Sequence, residues 1–427
     1  MEYSFVRLNQ LFFDERIITI SPSVKLQADD IKDLGNTAVI SQDQQFIMGY
    51  TDLVDNKLIN GPFTVFGDHT EILKYVDFPF IQGADGIKIL KADDKSIDSK
   101  FLYYALKNCY YPTGFYQRHY KLLKKTYIPD LDMQYQQRIA SILSNYDQLI
   151  ENNNRRIKIL EDMAESLYKE WFVRFRFPGY ETTEFENGIP KGWKISNLLQ
   201  IINLNDSMRK PLSSLERNAM DKIYPYYGAA ELLDKVDNFI FDGRYLLMGE
   251  DGSVITPDGY PVLQYVEGKF WVNNHAHVIS GNNTCPLNFL YCLLKKMPII
   301  DIVTGAAQPK ISQGRMQKKK VVIPTDDLIK KFCTIVDDIF DDEFCLKVLN
   351  EKLVKQRDAL LPRLMSGKLE VNIDNSNHSK ESFGEVLTLS QYKQQLLQGM
   401  AARASGISDN DIKAAYEAYV NDRRKKD

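Results

Sequence analysis

Four residues in the second half of the chain have the types and order of a magnesium-dependent nuclease centre: Pro257 and Asp258, then Glu267 and Lys269 as Glu-x-Lys. Two carboxylates would hold the metal, and the lysine would offset charge on a phosphate under attack. The pattern is loose, because Pro-Asp-Gly is also a common turn and Glu-Gly-Lys before Phe-Trp-Val reads as a hairpin entry. His275 and His277, in the string NNHAH, alternate as strand residues do and would face one side. A third metal ligand is not evident near them. The pair therefore reads as DNA-facing or hydrogen-bonded, as structural pairing at a strand end, or as a metal or acid–base site. Asn273 and Asn274 beside them either present amides to base edges, the geometry that reads adenine, or cap the strand. The cysteines Cys109, Cys285, Cys292, Cys333 and Cys345 are scattered, with no metal-ligand spacing, and read as buried thiols.

A second kind of chemistry is electrostatic. Two T-G-x-x-Q strings, TGFYQ (113–117) and TGAAQ (304–308), each open a basic stripe. Residues 114–125 hold Arg118, Lys121, Lys124 and Lys125 without an acid, and residues 304–320 hold Lys310, Arg315, Lys318, Lys319 and Lys320 without one. Glycine permits close backbone approach, glutamine can pair bidentately with a base, and the cations can neutralise phosphates. A merely solvated charged face is the alternative, and recurrence at the same place in both halves argues against it. Chemistry on DNA would need further parts. There is no [DNS]-P-P-[YFW] string for holding a flipped base, the nearest being DFPF (77–80), and no G-x-x-x-x-G-K-[ST] phosphate loop.

The scaffold that must position these residues is large and repeated. At 427 residues the chain exceeds one ordinary core, and 44% hydrophobic with 26% charged residues is a globular composition. A net charge of −3 argues against a generic nucleic-acid binder, so the local stripes matter more than the sum. The N-terminus has acids inside its first apolar stretch and no window is long enough to span a membrane, which makes the cytoplasm the expected compartment. Four landmarks recur in order: VFGD (65–68) with LMGEDG (247–252), FLYYALK (101–107) with FLYCLLK (289–295), TGFYQ with TGAAQ, and YIP (127–129) with VIP (322–324). Their offsets of 182, 188, 191 and 195 drift slowly, as an old duplication would.

After each Ile-Pro the pattern becomes a long helix. Asn153, Ile157, Leu160, Ala164, Leu167 and Trp171 alternate by four and three, as do Ile335, Ile339, Leu346, Leu349, Leu353 and Leu360, with polar Asp342 and Gln356 in two seam positions. Such seams belong to coiled coils. Helices over about 132–172 and 327–361 would be rods of roughly 50 to 60 Å, the second stopped by Pro362 and Gly367. Before each rod come short β-rich runs (GPFTVF, GIKIL, KFWVNNHAHVI) and one helix, an α+β mixture.

This layout resembles the specificity subunits of type I restriction-modification systems over about residues 1–371. The strings that carry the resemblance are QQRIASILSNYDQLIENNNRRIKILEDMAESLYKEWFVRF (136–175), IPKGWK (189–194), PYYGAAELLDKVDNFIFDGRYLLMGEDG (225–252), NNHAHV (273–278), TGAAQPKIS (304–312) and LLPRLMSGKLEV (360–371). The resemblance implies an α+β fold with two target recognition domains (1–130 and 174–325), separated by two long antiparallel coiled-coil helices (131–173 and 326–365), then a linker and helical tail (366–427). It implies that each domain reads half of a split asymmetric double-stranded DNA site. Two methylation subunits would bring S-adenosylmethionine and adenine-N6 chemistry, and motor-nuclease subunits would use ATP and Mg²⁺. The chain itself would bind no cofactor and catalyse nothing. Candidate DNA-contacting residues are Asp68, His69, Thr70, Gln82, Gln117, Arg118, His119, Lys121 and Lys124 in the first half. In the second they are Glu250, Asp251, Asn273, Asn274, His275, His277, Gln308, Lys310, Arg315, Lys318, Lys319 and Lys320. A stand-alone metal nuclease and a coiled-coil scaffold without a DNA role remain as alternatives.

Overall fold

A computed structural model describes residues 3–372 apart from 22–25, 27, 54–56, 84–85, 110–117 and 306. The TGFYQ landmark with Gln117, and the tail beyond residue 372, lie outside the described residues. The chain divides into two compact units, one of Met1–Asn154 with the segment from Lys347, the other of Arg155–Leu346.

Both units are built on one plan, and backbone hydrogen bonds show it better than the sequence does. In the first unit Ser4–Arg7 pairs antiparallel with Tyr127–Asp130; in the second Lys194–Asn197 pairs with Lys320–Ile323. The residue after each opening strand donates to the residue before its partner strand, Leu8 N to Thr126 O and Leu198 N to Lys319 O, both 2.9 Å. The central ladders match as well. Phe63–Gly67 lies between Ile87–Ala92 and Leu73–Val76, and Phe241–Gly249 lies between Ala276–Ser280 and Leu263–Val272. Gly67 faces Ile87 where Gly249 faces Ala276.

One difference follows from a proline. In the first unit the strands Leu73–Val76 and Phe80–Gln82 are separate and belong to two sheets of four and three strands. In the second the corresponding stretch, Leu263–Val272, is one strand, and the sheet has six. Pro79 stands in the break, where it lacks the N–H a ladder needs. The second unit spans the same place with Gly268 at φ +88°, which glycine tolerates without strain.

Each unit also has its helix on the sheet, Ser99–Cys109 and Leu287–Lys295, and the long helices run over Met133–Tyr168 and Asp326–Met365. Within the first unit they are antiparallel: Asp147 meets Arg357 at 2.6 Å and Asn153 meets Asn350 at 2.8 Å. Tyr104 also donates to Asp147, which ties the sheet helix to the rod. Within the second unit Leu160, Ala164, Leu167 and Phe172 pack with Phe289, Phe332, Ile335 and Ile339 in one apolar cluster. Phe172 sits 4.9 Å from Phe332 and 5.4 Å from Phe289 between ring centroids.

The seam of the second long helix differs from its sequence reading. Leu349, Asp342 and Gln356 are exposed, whereas Glu343, Asn350 and Arg357 turn inward between Leu346, Leu353 and Leu361. The polar pairs decide this: a half-buried Asn–Asn contact and an Arg–Asp bridge satisfy polar groups in the seam and fix its register. Pro362 does not stop the helix either. It sits inside the last turns, which continue to Met365 because Leu361, Leu364 and Met365 are buried together; the chain turns at Gly367, φ +72°. Cys285, Cys292 and Cys333 are buried thiols, and burial pushes Cys285 to about 11 and Cys333 to about 12, while Cys345 is exposed.

Candidate nucleic-acid interface

At one end of each sheet the chain leaves the central ladder and the candidate residues collect. In the second unit Gly249 ends its strand, and Glu250 N donates to His275 O at 2.8 Å. Ile311 N donates to Glu250 O at 2.9 Å, which brings the 304–313 loop to the same edge. The first unit repeats this with Asp68 N donating to Gly86 O, and His119 N donating to Asp68 O. The ladder thus equates Asp68 with Glu250, Gly86 with His275 and His119 with Ile311.

Beneath the second edge lies a charged cluster. His277, fully buried, has Nδ1 2.6 Å from Asp206 Oδ2 and Nε2 2.8 Å from the Ile311 carbonyl oxygen. Gln313 Nε2 donates to Asp206 Oδ2 at 2.9 Å, and Val278 N to Asp206 Oδ1 at 2.9 Å. Burial alone would raise the Asp206 carboxyl; the bonds from His277 and Val278 outweigh it and hold the group below the usual carboxylate range. Arg209 donates to Glu250 at 2.6 Å and to the Ala276 carbonyl at 2.7 Å, and lies 3.5 Å from Asp206. Asp206, Glu250 and His277 are close enough together to hold a cation. The Arg209 guanidinium already supplies that charge, so the group acts as a tie between the sheet and the 304–313 loop.

Several expectations are corrected by burial. His275 and His277 do not share a face, because the strand begins at Ala276: His275 lies in the preceding turn, half exposed, and His277 points inward. Asn273 is buried, its side-chain oxygen accepting from His275 N at 2.9 Å, so it caps the turn. Asp68 is buried and accepts from Tyr120 N at 2.7 Å. His119 is fully buried with Nδ1 2.6 Å from Glu71, and Glu250 is held by Arg209. None of these five (Asp68, His119, Glu250, Asn273, His277) presents a free side chain to a ligand; they shape the edge. Lys319 is bound to Asp301 at 2.7 Å, and Lys124 lies over the rings of Phe12 and Tyr120 at 4.7 and 4.8 Å.

Other candidates stand at the surface: Thr70, Arg118 and Lys121 in the first unit, and Asn274, His275, Gln308, Lys310, Arg315, Lys318 and Lys320 in the second, with His69, Gln82 and Asp251 partly exposed. Gln308 donates to Asp251, so these two hold each other in place. The nuclease pattern dissolves: Glu267 is bound to Arg244 at 2.8 Å, Lys269 sits 4.5 Å over Phe239, and Asp258 lies in a turn.

The sequence reading missed the hairpin loop after Thr37–Ile40, which carries Gln42, Asp43, Gln44 and Gln45. It stands at the same edge, since Thr70 Oγ1 donates to the Gln42 carbonyl at 2.6 Å and the Gln42 amide fills the space a side chain at Gly86 would need. A run of glutamines between two short β segments was the available signal.

Comparison with known proteins fits this frame. Residues 190–347 match the family described as type I restriction modification DNA specificity domain. The MjaIX type I specificity subunit of Methanocaldococcus jannaschii is 31% identical over 275 residues, 58% of this chain and 62% of that one. A Haemophilus influenzae protein described as a putative type I specificity subunit is 32% identical over 145 residues, 34% of this chain and 36% of that one. The chain thus spans about three fifths and one third of these two relatives. In three dimensions the S subunit of a type I system from M. genitalium aligns over 87% of this chain and 97% of its own, with TM-score 0.53 and 18% identity, a likeness of fold. Residues 190–347 are thus similar to the type I restriction modification DNA specificity domain, and the fold is similar to that of a type I S subunit.

Proposed function

We propose that the chain is the non-catalytic reading subunit of a type I restriction-modification complex, each unit reading one half of a bipartite asymmetric site in double-stranded DNA. The observation that carries this reading is the edge built twice on one frame with different side chains: glutamines and Thr70 in the first unit, Asn274, His275 and Gln308 in the second. A repeated frame suits two turns of the same duplex, and differing tips suit two different half-sequences. Exposed Arg118 and Lys121 flank His119 in the chain, exposed Arg315, Lys318 and Lys320 follow Gln313, and these cations would supply phosphate contacts. Methylation subunits, two of them, and motor-nuclease subunits are the partners this role requires. S-adenosylmethionine, ATP and Mg²⁺ belong to them, and the long helices serve as their docking and spacing element. Among the described residues no helix is long and apolar enough to cross a membrane.

The test is selection from a randomised duplex library by the full chain co-expressed with the methylation subunit of its own system. Two constant blocks separated by an unspecified gap are expected; one contiguous block, or no enrichment, rejects the reading. The purified chain with Mg²⁺ should leave the same library uncut, and cleavage would restore the nuclease alternative.

A further inference from the structure

The two hairpin loops at the reading edges are each tied at their first carbonyl by one side chain, and the ladders place that side chain at the same position. In the first unit Val65 faces Lys74; in the second Leu247 faces Gln264. Since Gly67 corresponds to Gly249, Lys74 corresponds to Gln264. The parallel ladders pair Ile40 with Gln82 and Tyr227 with Val272, which makes Ser41 the counterpart of Gly228. Lys74 Nζ donates to Ser41 O at 2.9 Å, and Gln264 Nε2 donates to Gly228 O at 3.1 Å. Different residues, an ammonium and an amide, thus make one contact: each ties down the first carbonyl of its loop.

Lys74 does more than its counterpart. It is almost wholly buried and spends its three N–H groups on Ser41 O, Gln45 O at 2.6 Å and Phe46 O at 3.4 Å. A charge taken from water to bind three carbonyls of one exposed loop is a costly way to shape a surface. It leaves Gln44 and Gln45 with fixed backbone and exposed side chains. In the second unit the shorter loop is closed by Gly228 N donating to Glu231 O at 2.9 Å, and it carries Ala229, Ala230 and Glu231 instead. The tether is common to both units and the tips differ, as expected where the frame is shared and the sequence read is not.

We propose that loop 41–46 is a base-reading loop of the first unit, with Gln44 and Gln45 as specificity-determining side chains and Lys74 as the residue that positions them. A glutamine amide presents one donor and one acceptor, the complement of the adenine N6/N7 edge. The inference rests on the DNA-reading function and sharpens it to one loop and one half-site.

The experiment uses the full chain with its methylation subunit and a randomised duplex library. In the Gln44→Ala, Gln45→Ala double variant, preference should fall about 10- to 100-fold at one or two positions of a single block, with the other block and non-specific binding unchanged. Lys74→Met should blur the same positions, whereas Lys74→Gln, which installs the second unit's solution, should restore most of the discrimination. If the wild-type complex selects two blocks and the double variant selects the same two at the same strength, the loop assignment is overturned while DNA reading stands. If the wild type selects nothing, DNA reading itself falls and this assignment with it. Both glutamines are exposed, so their replacement leaves the fold intact even where a Lys74 variant does not fold.

Discussion

The edges of the two units share one tether to the hairpin loop and differ in what else stiffens them. The first edge is held from the sheet side: Lys74 comes up from the neighbouring strand and grips loop 41–46, and Gly86 leaves room for Gln42. The second is held from below, where Asp206, Arg209, Glu250 and His277 tie the 304–313 loop to the strand Ala276–Ser280. At the place where His277 faces Met248 in the second ladder, Lys88 faces Phe66 in the first and reaches toward the Tyr120 ring at 5.8 Å. The contrast teaches that the ladder sets where an edge stands, while the side chains that stiffen it are free to differ.

If the second edge depends on its charged tie, Arg209→Met should have the largest effect, because it leaves the half-buried carboxylates of Asp206 and Glu250 near one another without the guanidinium between them, with only the exposed Lys310, 3.7 Å from Glu250, to offset them. A loss of ~2–4 kcal/mol is expected, below the cost of breaking a fully buried pair, visible as faster amide exchange over residues 203–280 and 307–313. Exchange over 63–92 should not change, and equal loosening of both units would break the contrast.

Asp206→Asn should cost less, ~1–3 kcal/mol at neutral pH, with a pH signature. The Asp206 carboxyl is held below its ordinary value, so its stabilisation is present above the unfolded value of 3.8 and is lost as pH falls through the depressed folded value. Urea titrations should therefore show wild type and variant converging below about pH 4. A gap that stays constant to pH 2 would mean that ionisation of Asp206 is not what the variant removes.

The smaller effects concern phosphate contact. Lys318→Ala with Lys320→Ala should weaken binding to every sequence and reduce the slope of log affinity against log salt by roughly 2, without changing the selected blocks. Lys319→Ala should change the slope by much less, since its ammonium is engaged by Asp301. A Lys319 effect equal to that of its neighbours would show that the ion pair opens on DNA.

Much of this architecture was legible. The landmarks FLYYALK and FLYCLLK mark real sheet helices at Ser99–Cys109 and Leu287–Lys295, and the four-three alternation marks the long helices to within a few residues. The edge was harder. Asn273, His275 and His277 alternate in sequence, yet one caps a turn, one is half exposed and one is fully buried. Polarity suggests exposure, but a polar group with enough partners is stable inside, and only the neighbours reveal those partners.

What the sequence determined by itself is whatever depends on near neighbours along the chain. Helical periodicity, turn residues, the order of the repeat and the basic stripes are all of this kind. What the tertiary structure alone decided is pairing across distance. Lys74 and Gln264 share no local motif and become counterparts only through strand register. Arg209 meets Glu250 across 41 residues, and Asn153 meets Asn350 across 197. The physical reason is that a hydrogen bond or ion pair is satisfied by whichever group the fold brings within about 3 Å, and many sequences can supply such a group at a given place.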